Sequence, residues 1–202
     1  MSRPTEYQWV ITSTNYDADP AKFARWLRFD GVDDYLNLPY MWLYANGSAS
    51  VVAGVYGHQF GKAYNGRVIC ESLVSSNSPT YALCIDKINI KTINSYMRND
   101  TGTAFVNIDM SLPQNSTNII SIVDGGNSIK SFQNAVQKVS ATYTRSGSVT
   151  LGSTTIGKGL NNGSDEIWMG ELYSLIITKS ALTDAQRIKC ERYAASKAGV
   201  IL

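Results

Sequence analysis

The side chains that could do chemistry in this sequence are aromatic rings and amides gathered in polar, turn-rich stretches. Aromatic rings stack on the C–H faces of sugars, while amide, hydroxyl and charged groups hydrogen-bond the sugar hydroxyls. The candidate ligand-binding residues of these types are Trp42, Tyr44, His58, Tyr64, Asn65, Arg67 and Tyr96. The residues expected to pack in a core instead are Trp26, Phe29, Tyr35 and Trp168.

The charge balance limits the partners that this chain can bind. Its 202 residues include 18 basic and 16 acidic side chains, a net charge of +2, with no run of either sign. Because nucleic-acid binding requires a clustered basic face, we expect no nucleic-acid partner. No stretch is long and apolar enough to span a membrane, and the first residues lack the apolar core of a signal peptide. We therefore expect no membrane insertion and no signal peptide.

Three cysteines, Cys70, Cys84 and Cys190, are odd in number and far apart. Two of them lie in apolar, strand-like runs, which favours small buried thiols over a disulfide. Their spacing matches no zinc site.

Short alternating segments separated by turn residues make up most of the chain. Tyr35–Leu38 alternates like a half-buried strand that starts at a turn containing Gly31, and Ala49–Tyr56 has the pattern of a buried strand. Thr117–Val123 and Ser128–Val139 flank a glycine-containing turn and predict a hairpin. Further strands are predicted over residues 67–73, 81–85, 88–96, 154–157 and 167–178. Many short strands joined by turns indicate an antiparallel sandwich.

A single helix is predicted at the end of the chain, over residues 183–197. Thr183 is a suitable N-cap, and Gln186 three residues later completes a capping box. We expect this helix to cover one end of the sandwich. The predicted organisation is an N-terminal arm or edge strand over residues 1–25 and a sandwich over residues 26–202.

Three segments occur together in the order found in a known superfamily. They are Phe29–Leu36, then Asp124–Asn127 with Phe132–Val136, then a closing segment that includes Trp168–Tyr173 and Ala181–Lys197. These segments resemble concanavalin A-like lectin/glucanase domains, in particular the laminin-G-like and pentraxin-like branch. The resemblance implies an all-β, antiparallel jelly-roll β-sandwich with a short C-terminal α-helix. One departure is Ala135, which follows Asn134 where the family usually has glycine.

Modules of this pattern without a signal peptide are frequent in phage tail and fibre proteins, where they bind host glycans. The resemblance thus implies a non-catalytic, lectin-like module of a phage virion or tail that recognises a cell-surface glycan or polysaccharide. Other virion subunits, and copies of the chain itself in a homo-oligomer, would be further partners. The alternative is a structural virion decoration or assembly module without glycan binding, in which residues 1–25 form the assembly arm.

Two enzymatic interpretations compete with glycan binding. Glucanases of this superfamily carry Glu-x-Asp-x-(x)-Glu on one strand. The nearest approach here has Trp168 in place of the aspartate, and the five-residue spacing of Glu166 and Glu171 puts them on opposite faces of a regular strand. The stretch around the only histidine resembles jelly-roll alginate lyases, so His58 and Tyr64 give a polysaccharide-lyase alternative. Because the glucanase carboxylates are not in place and the strand signatures that the lyases carry elsewhere are absent, we predict no enzymatic activity.

No cofactor is predicted. Asp33 and Asp34 are expected to shape their turn through side-chain-to-backbone hydrogen bonds, with calcium ligation as the alternative. The calcium ligands of other branches of the superfamily have no clear counterparts in the sequence, so the metal is left open.

Overall fold

The structure is a computed structural model, and it is described here over nine ranges. These are residues 26–38, 47–57, 66–72, 79–86, 92–98, 105–111, 116–142, 153–159 and 167–202. The arm predicted over residues 1–25 lies outside them.

Two six-stranded sheets make up the β portion of the described chain. In sheet A the order is β1 (Leu27–Asp30), β12 (Met169–Thr178), β3 (Ala49–Gly57), β8 (Thr117–Asp124), β9 (Ser128–Gln133) and β10 (Val136–Thr142). In sheet B the order is β2 (Leu36–Leu38), β11 (Ser153–Ile156), β4 (Gly66–Ser72), β5 (Pro79–Asp86), β6 (Thr92–Arg98) and β7 (Phe105–Ser111). All neighbouring strands are antiparallel. This architecture confirms the predicted jelly-roll sandwich.

The main core lies between the two sheets. Alternate residues of β3 and β8, including Val51, Val55 and Ile120, meet Ile69 of sheet B. Burying each such side chain contributes about 1.5–3 kcal/mol. The rings of Phe29 and Trp168 are 5.1 Å apart and belong to this core, as predicted.

The predicted hairpin exists, but one of its strands is shorter than expected. Ser128–Val139 is broken by a turn at Asn134 and Ala135, whose φ angles are 49° and 67°, and β9 and β10 flank this turn. Two consecutive positive φ values are typical of a type I′ hairpin turn. The turn is hard to predict from the sequence because alanine stands where glycine is favoured. Strand β7 was not predicted.

Helix α1 (Asp184–Ala198) has the predicted capping box, and Gly199 closes it in the left-handed conformation. The helix lies across the outer face of sheet A, contacting β3, β8 and β12, so the prediction that it covers one end of the sandwich was wrong. The reason is a second apolar cluster, in which Val52 and Ile119 of the sheet meet alanines of the helix. Among the described residues, no helix combines the length and hydropathy needed to cross a membrane.

A buried ion pair lies beneath α1. The Nη1 of Arg187 is 2.7 Å from the Oε1 of Glu191, and the hydroxyl of Ser121 on β8 donates to the same oxygen at 2.7 Å. The guanidinium of Arg187 stacks on the ring of Phe132, 3.7 Å from its centroid. These contacts fix the position of the helix on the sheet.

Cys70 and Cys190 form no disulfide. Cys70 is buried, as predicted, while Cys190 is only partly buried.

Candidate functional site

Five of the seven predicted ligand-binding residues lie outside the described part of the chain. Trp42 and Tyr44 fall within residues 39–46, and His58, Tyr64 and Asn65 fall within residues 58–65. They therefore stay predictions, and so does the lyase alternative that depends on His58.

The other two, Arg67 and Tyr96, belong to sheet B. Arg67 on β4 is only 5% exposed, so it is not the rim residue that a binding loop would need. Directly paired residues share a face of a sheet. One row of such partners consists of Arg67, Cys84, Asn94 and Asp109. The next row on that face consists of Cys70, Ala82, Tyr96 and Asn107. The strand register thus places Arg67 and Tyr96 in neighbouring rows of the same face of sheet B.

Three aspartates gather in the exposed turn between β1 and β2. The Oδ1 of Asp30 accepts the amide of Val32 at 2.7 Å, and the Oδ2 of Asp34 accepts the amide of Asp30 at 3.0 Å. One carboxylate oxygen from each of Asp30, Asp33 and Asp34 lies within 4.8 Å of the others. The amide of Val32, the largest influence, lowers the pKa of Asp30. The carboxylates therefore shape their own turn, with Asp30 in the role predicted for Asp33.

Tyr35 is 49% exposed, so the prediction that it packs in the core was wrong. The reason is strand parity, because Leu36 and Leu38 of β2 pack against the core and the residues next to them face outward. The Nζ of Lys158 lies 4.5 Å from the centroid of the Tyr35 ring.

The described residues with the properties of a binding surface lie on the outer face of sheet A, beside α1. Directly paired residues form one row across β1, β12, β3 and β8: Arg28, Glu171, Tyr56 and Thr117. Leu172 and Val55 of the neighbouring row belong to the core, so the row of Glu171 faces outward. With Trp26 and Tyr173, these four residues make the surface that we call the aromatic face. All six side chains are exposed or partly exposed.

A β-bulge positions the rings of the aromatic face. The register between β12 and β3 shifts between Leu172 and Ser174, which leaves Tyr173 as the extra residue on the outer side. The Tyr173 ring packs against the apolar cluster beneath α1 and lies 6.0 Å from the Trp26 ring, tilted by 56°. The Tyr173 ring thus lies between the apolar cluster beneath α1 and the Trp26 ring.

A short hydrogen bond joins Tyr173 to Glu171. The tyrosine hydroxyl donates to the Oε2 of Glu171 at 2.6 Å. Burial, and then the hydrogen bond and charge of Glu171, raise the pKa of Tyr173 well above its usual value. The hydroxyl stays protonated, and the carboxylate presents a negative charge at the centre of the row.

Sequence reasoning missed this surface. The sequence predicts Trp26 in the core and Tyr56 in a buried strand, and it considers Glu171 only as part of a glucanase carboxylate pair. The alternation of side chains along the strand could have indicated this surface. Trp168 and Leu172 are strongly apolar and lie an even number of residues apart, so Glu171, directly before Leu172, belongs to the opposite face.

The carboxylate pair of the glycosidase interpretation is only partly described. Trp168, at the position where glucanases have the middle aspartate, is 1% exposed and fills the core. Glu166 lies outside the described residues.

Comparison with known proteins identifies similar folds and no close relative. No protein-family model matches the chain, and no curated protein matches it. Similar solved structures include the binding domain of botulinum neurotoxin serotype D, with a TM-score of 0.64 and 15% identity over 94% of this chain and 47% of that one. A heptameric SAP-like pentraxin from Limulus polyphemus has a TM-score of 0.58 and 16% identity over 84% of this chain and 81% of that one. NanB sialidase from Streptococcus pneumoniae has a TM-score of 0.60 and 10% identity over 80% of this chain and 27% of that one.

The chain spans about half the length of the neurotoxin binding domains that it matches. At these identities the likeness concerns the fold alone. It agrees with the resemblance to the concanavalin A-like superfamily at the level of a jelly-roll sandwich.

Proposed function

We propose that this protein is a non-catalytic carbohydrate-binding module and that the aromatic face is its glycan-binding surface. The observation that carries the proposal is the clustering of Trp26, Tyr56 and Tyr173 around the carboxylate of Glu171 on one partly exposed strip of sheet A. Aromatic rings with a polar edge suit sugars, whose C–H faces are apolar and whose rims carry hydroxyls.

The dimensions of the strip suit a short stretch of oligosaccharide. Neighbouring strands lie about 4.8 Å apart, so the row across β1, β12, β3 and β8 extends over roughly 14 Å. Along it, Glu171 can accept hydrogen bonds from sugar hydroxyls, and Tyr56 and Thr117 can exchange hydrogen bonds with them. A shallow strip binds weakly, and display of several copies would raise the avidity.

Similar folds in recognition proteins support the coarse function. The neurotoxin neighbours are named as binding or receptor-binding domains, and another neighbour is a pentraxin. The finer assignment rests on the superfamily resemblance and its usual context. It is a phage tail or virion receptor-binding role directed at host surface glycans, with other virion subunits and a homo-oligomer as partners.

The absence of catalysis is part of the proposal. Retaining glycosidases need two carboxyl groups about 5–5.5 Å apart, and inverting enzymes need them about 6.5–9.5 Å apart. On the aromatic face as defined, Glu171 is the one carboxylate, and its Oε2 is hydrogen-bonded to Tyr173.

The test is binding to a panel of oligosaccharides by calorimetry, with tryptophan fluorescence as a second readout. We expect Trp26→Ala and Tyr56→Ala each to weaken binding about tenfold or more, because a central aromatic anchor carries more than 1 kcal/mol. The control is Tyr35→Ala, which removes a half-exposed ring outside the aromatic face.

Unchanged binding in Trp26→Ala would contradict the assignment of the surface. No binding to any glycan, combined with tight self-association in light scattering, would favour the structural virion role. Cleavage of a polysaccharide that is lost in His58→Ala would favour the lyase.

A further inference from the structure

The charge at the centre of the aromatic face bears on which glycans it can accept. Glu171 is the second of four residues in its row, with Arg28 on one side and Tyr56 on the other. Its side chain is partly buried, and its Oε2 accepts the Tyr173 hydroxyl at 2.6 Å. A carboxylate has about four acceptor positions, so it can also accept hydrogen bonds from a docked sugar.

The ionisation of Tyr173 depends on the nearby charge of Glu171. Its pKa is raised by burial and further by the hydrogen bond and negative charge of Glu171. Ionised Tyr173 would be a second anion beside the carboxylate. The same repulsion acts on the carboxylate or sulfate of an acidic sugar that is placed on these rings.

Arg28 is the one cation among the six residues of the aromatic face, and it is paired with Glu171 in the strand register. It lies on β1 at the edge of sheet A and its side chain is exposed, whereas that of Glu171 is partly buried. Solvent and salt screen an exposed charge more strongly than a partly buried one.

From this geometry we infer that the aromatic face takes uncharged sugars and discriminates against glycans carrying carboxylates or sulfates, with Glu171 setting the selectivity. The inference rests on the proposed function, since it assigns a ligand class to the same surface. In this arrangement Glu171 accepts hydrogen bonds from neutral sugar hydroxyls, and the rings of Trp26 and Tyr173 support the sugar from below.

The experiment compares neutral and acidic members of matched pairs at fixed ionic strength. The probes are N-acetyllactosamine with its sialylated form, and galactose oligomers with galacturonate oligomers. We expect the intact protein to bind the neutral member about tenfold more tightly. Glu171→Gln keeps the size of the side chain and an acceptor for Tyr173, and we expect it to weaken neutral binding and bring the ratio close to one.

Lys138→Gln is the control, because it removes an exposed charge from β10, at the edge of sheet A opposite β1 and outside the aromatic face. We expect it to leave neutral binding and the neutral-to-acidic ratio nearly unchanged. Thermal unfolding of both variants checks that the fold is intact.

Two results would overturn the inference while leaving the proposed function standing. One is equal or tighter binding of the acidic members, abolished by Trp26→Ala. The other is an unchanged neutral-to-acidic ratio in Glu171→Gln. If no member of either pair binds the intact protein, both the proposed function and the inference fail.

Discussion

Removing the carboxylate of Glu191 should destabilise the fold more than most single substitutions. Its side chain is fully buried, and Arg187 beside it is only 5% exposed. Oε1 of Glu191 receives two short contacts, from the guanidinium and from Ser121 on the sheet. Glu191→Ala would leave the buried guanidinium facing Phe132 with its principal counter-charge removed.

The expected magnitude follows from that uncompensated charge. Breaking one partner of a buried pair costs about 3–5 kcal/mol, whereas replacing both partners by apolar groups is often neutral or stabilising. Since domains of this kind unfold with about 5–15 kcal/mol, Glu191→Ala removes a large share of the total. The double variant Arg187→Met/Glu191→Leu should recover most of the loss.

The assay is equilibrium urea unfolding followed by circular dichroism, with the free energy of unfolding extrapolated to water. Lys189→Ala, at an exposed position of the same helix, is the control and should change stability by less than about 0.5 kcal/mol. A loss below about 1 kcal/mol in Glu191→Ala would refute the reasoning. A double variant as unstable as the single one would refute it equally.

Three further predictions concern the strands and turns. Ala135→Gly should raise the free energy of unfolding by about 0.5–1 kcal/mol in urea titrations. A φ of 67° costs alanine about 1–2 kcal/mol, and the larger unfolded-state entropy of glycine cancels only part of the relief of that strain. Gly170→Ala should lower it by about 1–3 kcal/mol, since the added Cβ would lie 2.5 Å from the indole of Trp168; an unchanged melting temperature would contradict this packing. Asp30→Asn should destabilise at neutral pH and lose its effect in strong acid. The amide of Val32 lowers the folded-state pKa of Asp30, so its contribution is present above the unfolded-state pKa and disappears as pH falls through the folded one. Equal destabilisation at both pH values would exclude that linkage.

The elements with strong local signals could be predicted from the sequence. The capping box of α1 needs only Thr183 and Gln186 at the right spacing, and both hydrogen bonds are present. β3 is a mostly apolar run next to turn residues, and its predicted start at Ala49 is the observed one. In these segments local chemistry and tertiary packing require the same conformation.

The features that could not be predicted from the sequence depend on contacts between residues far apart in the chain. Tyr35 looked like a core residue because it is a large ring next to Leu36 at the start of an alternating segment, but the pairing of β2 with β11 fixes which residues face inward. The position of α1 depends on Val52 and Ile119, two strand residues that face away from the main core. A buried strand with apolar residues on both faces does not reveal which face a helix covers.

The bulge in β12 explains how one face of sheet A can hold both a helix and the aromatic face. A regular strand alternates strictly, so Leu172, Leu175 and Ile177 cannot all face the core without an extra residue. The register shift between Leu172 and Ser174 supplies it, and Leu172, Leu175 and Ile177 all pack against the core. Ser174 lies 3.0 Å from a Cβ built on Gly54, in the groove that receives α1, while Tyr173 contacts both the helix cluster and Trp26. Because Tyr173 connects the two parts, the docking of the helix and the geometry of the aromatic face depend on the same extra residue.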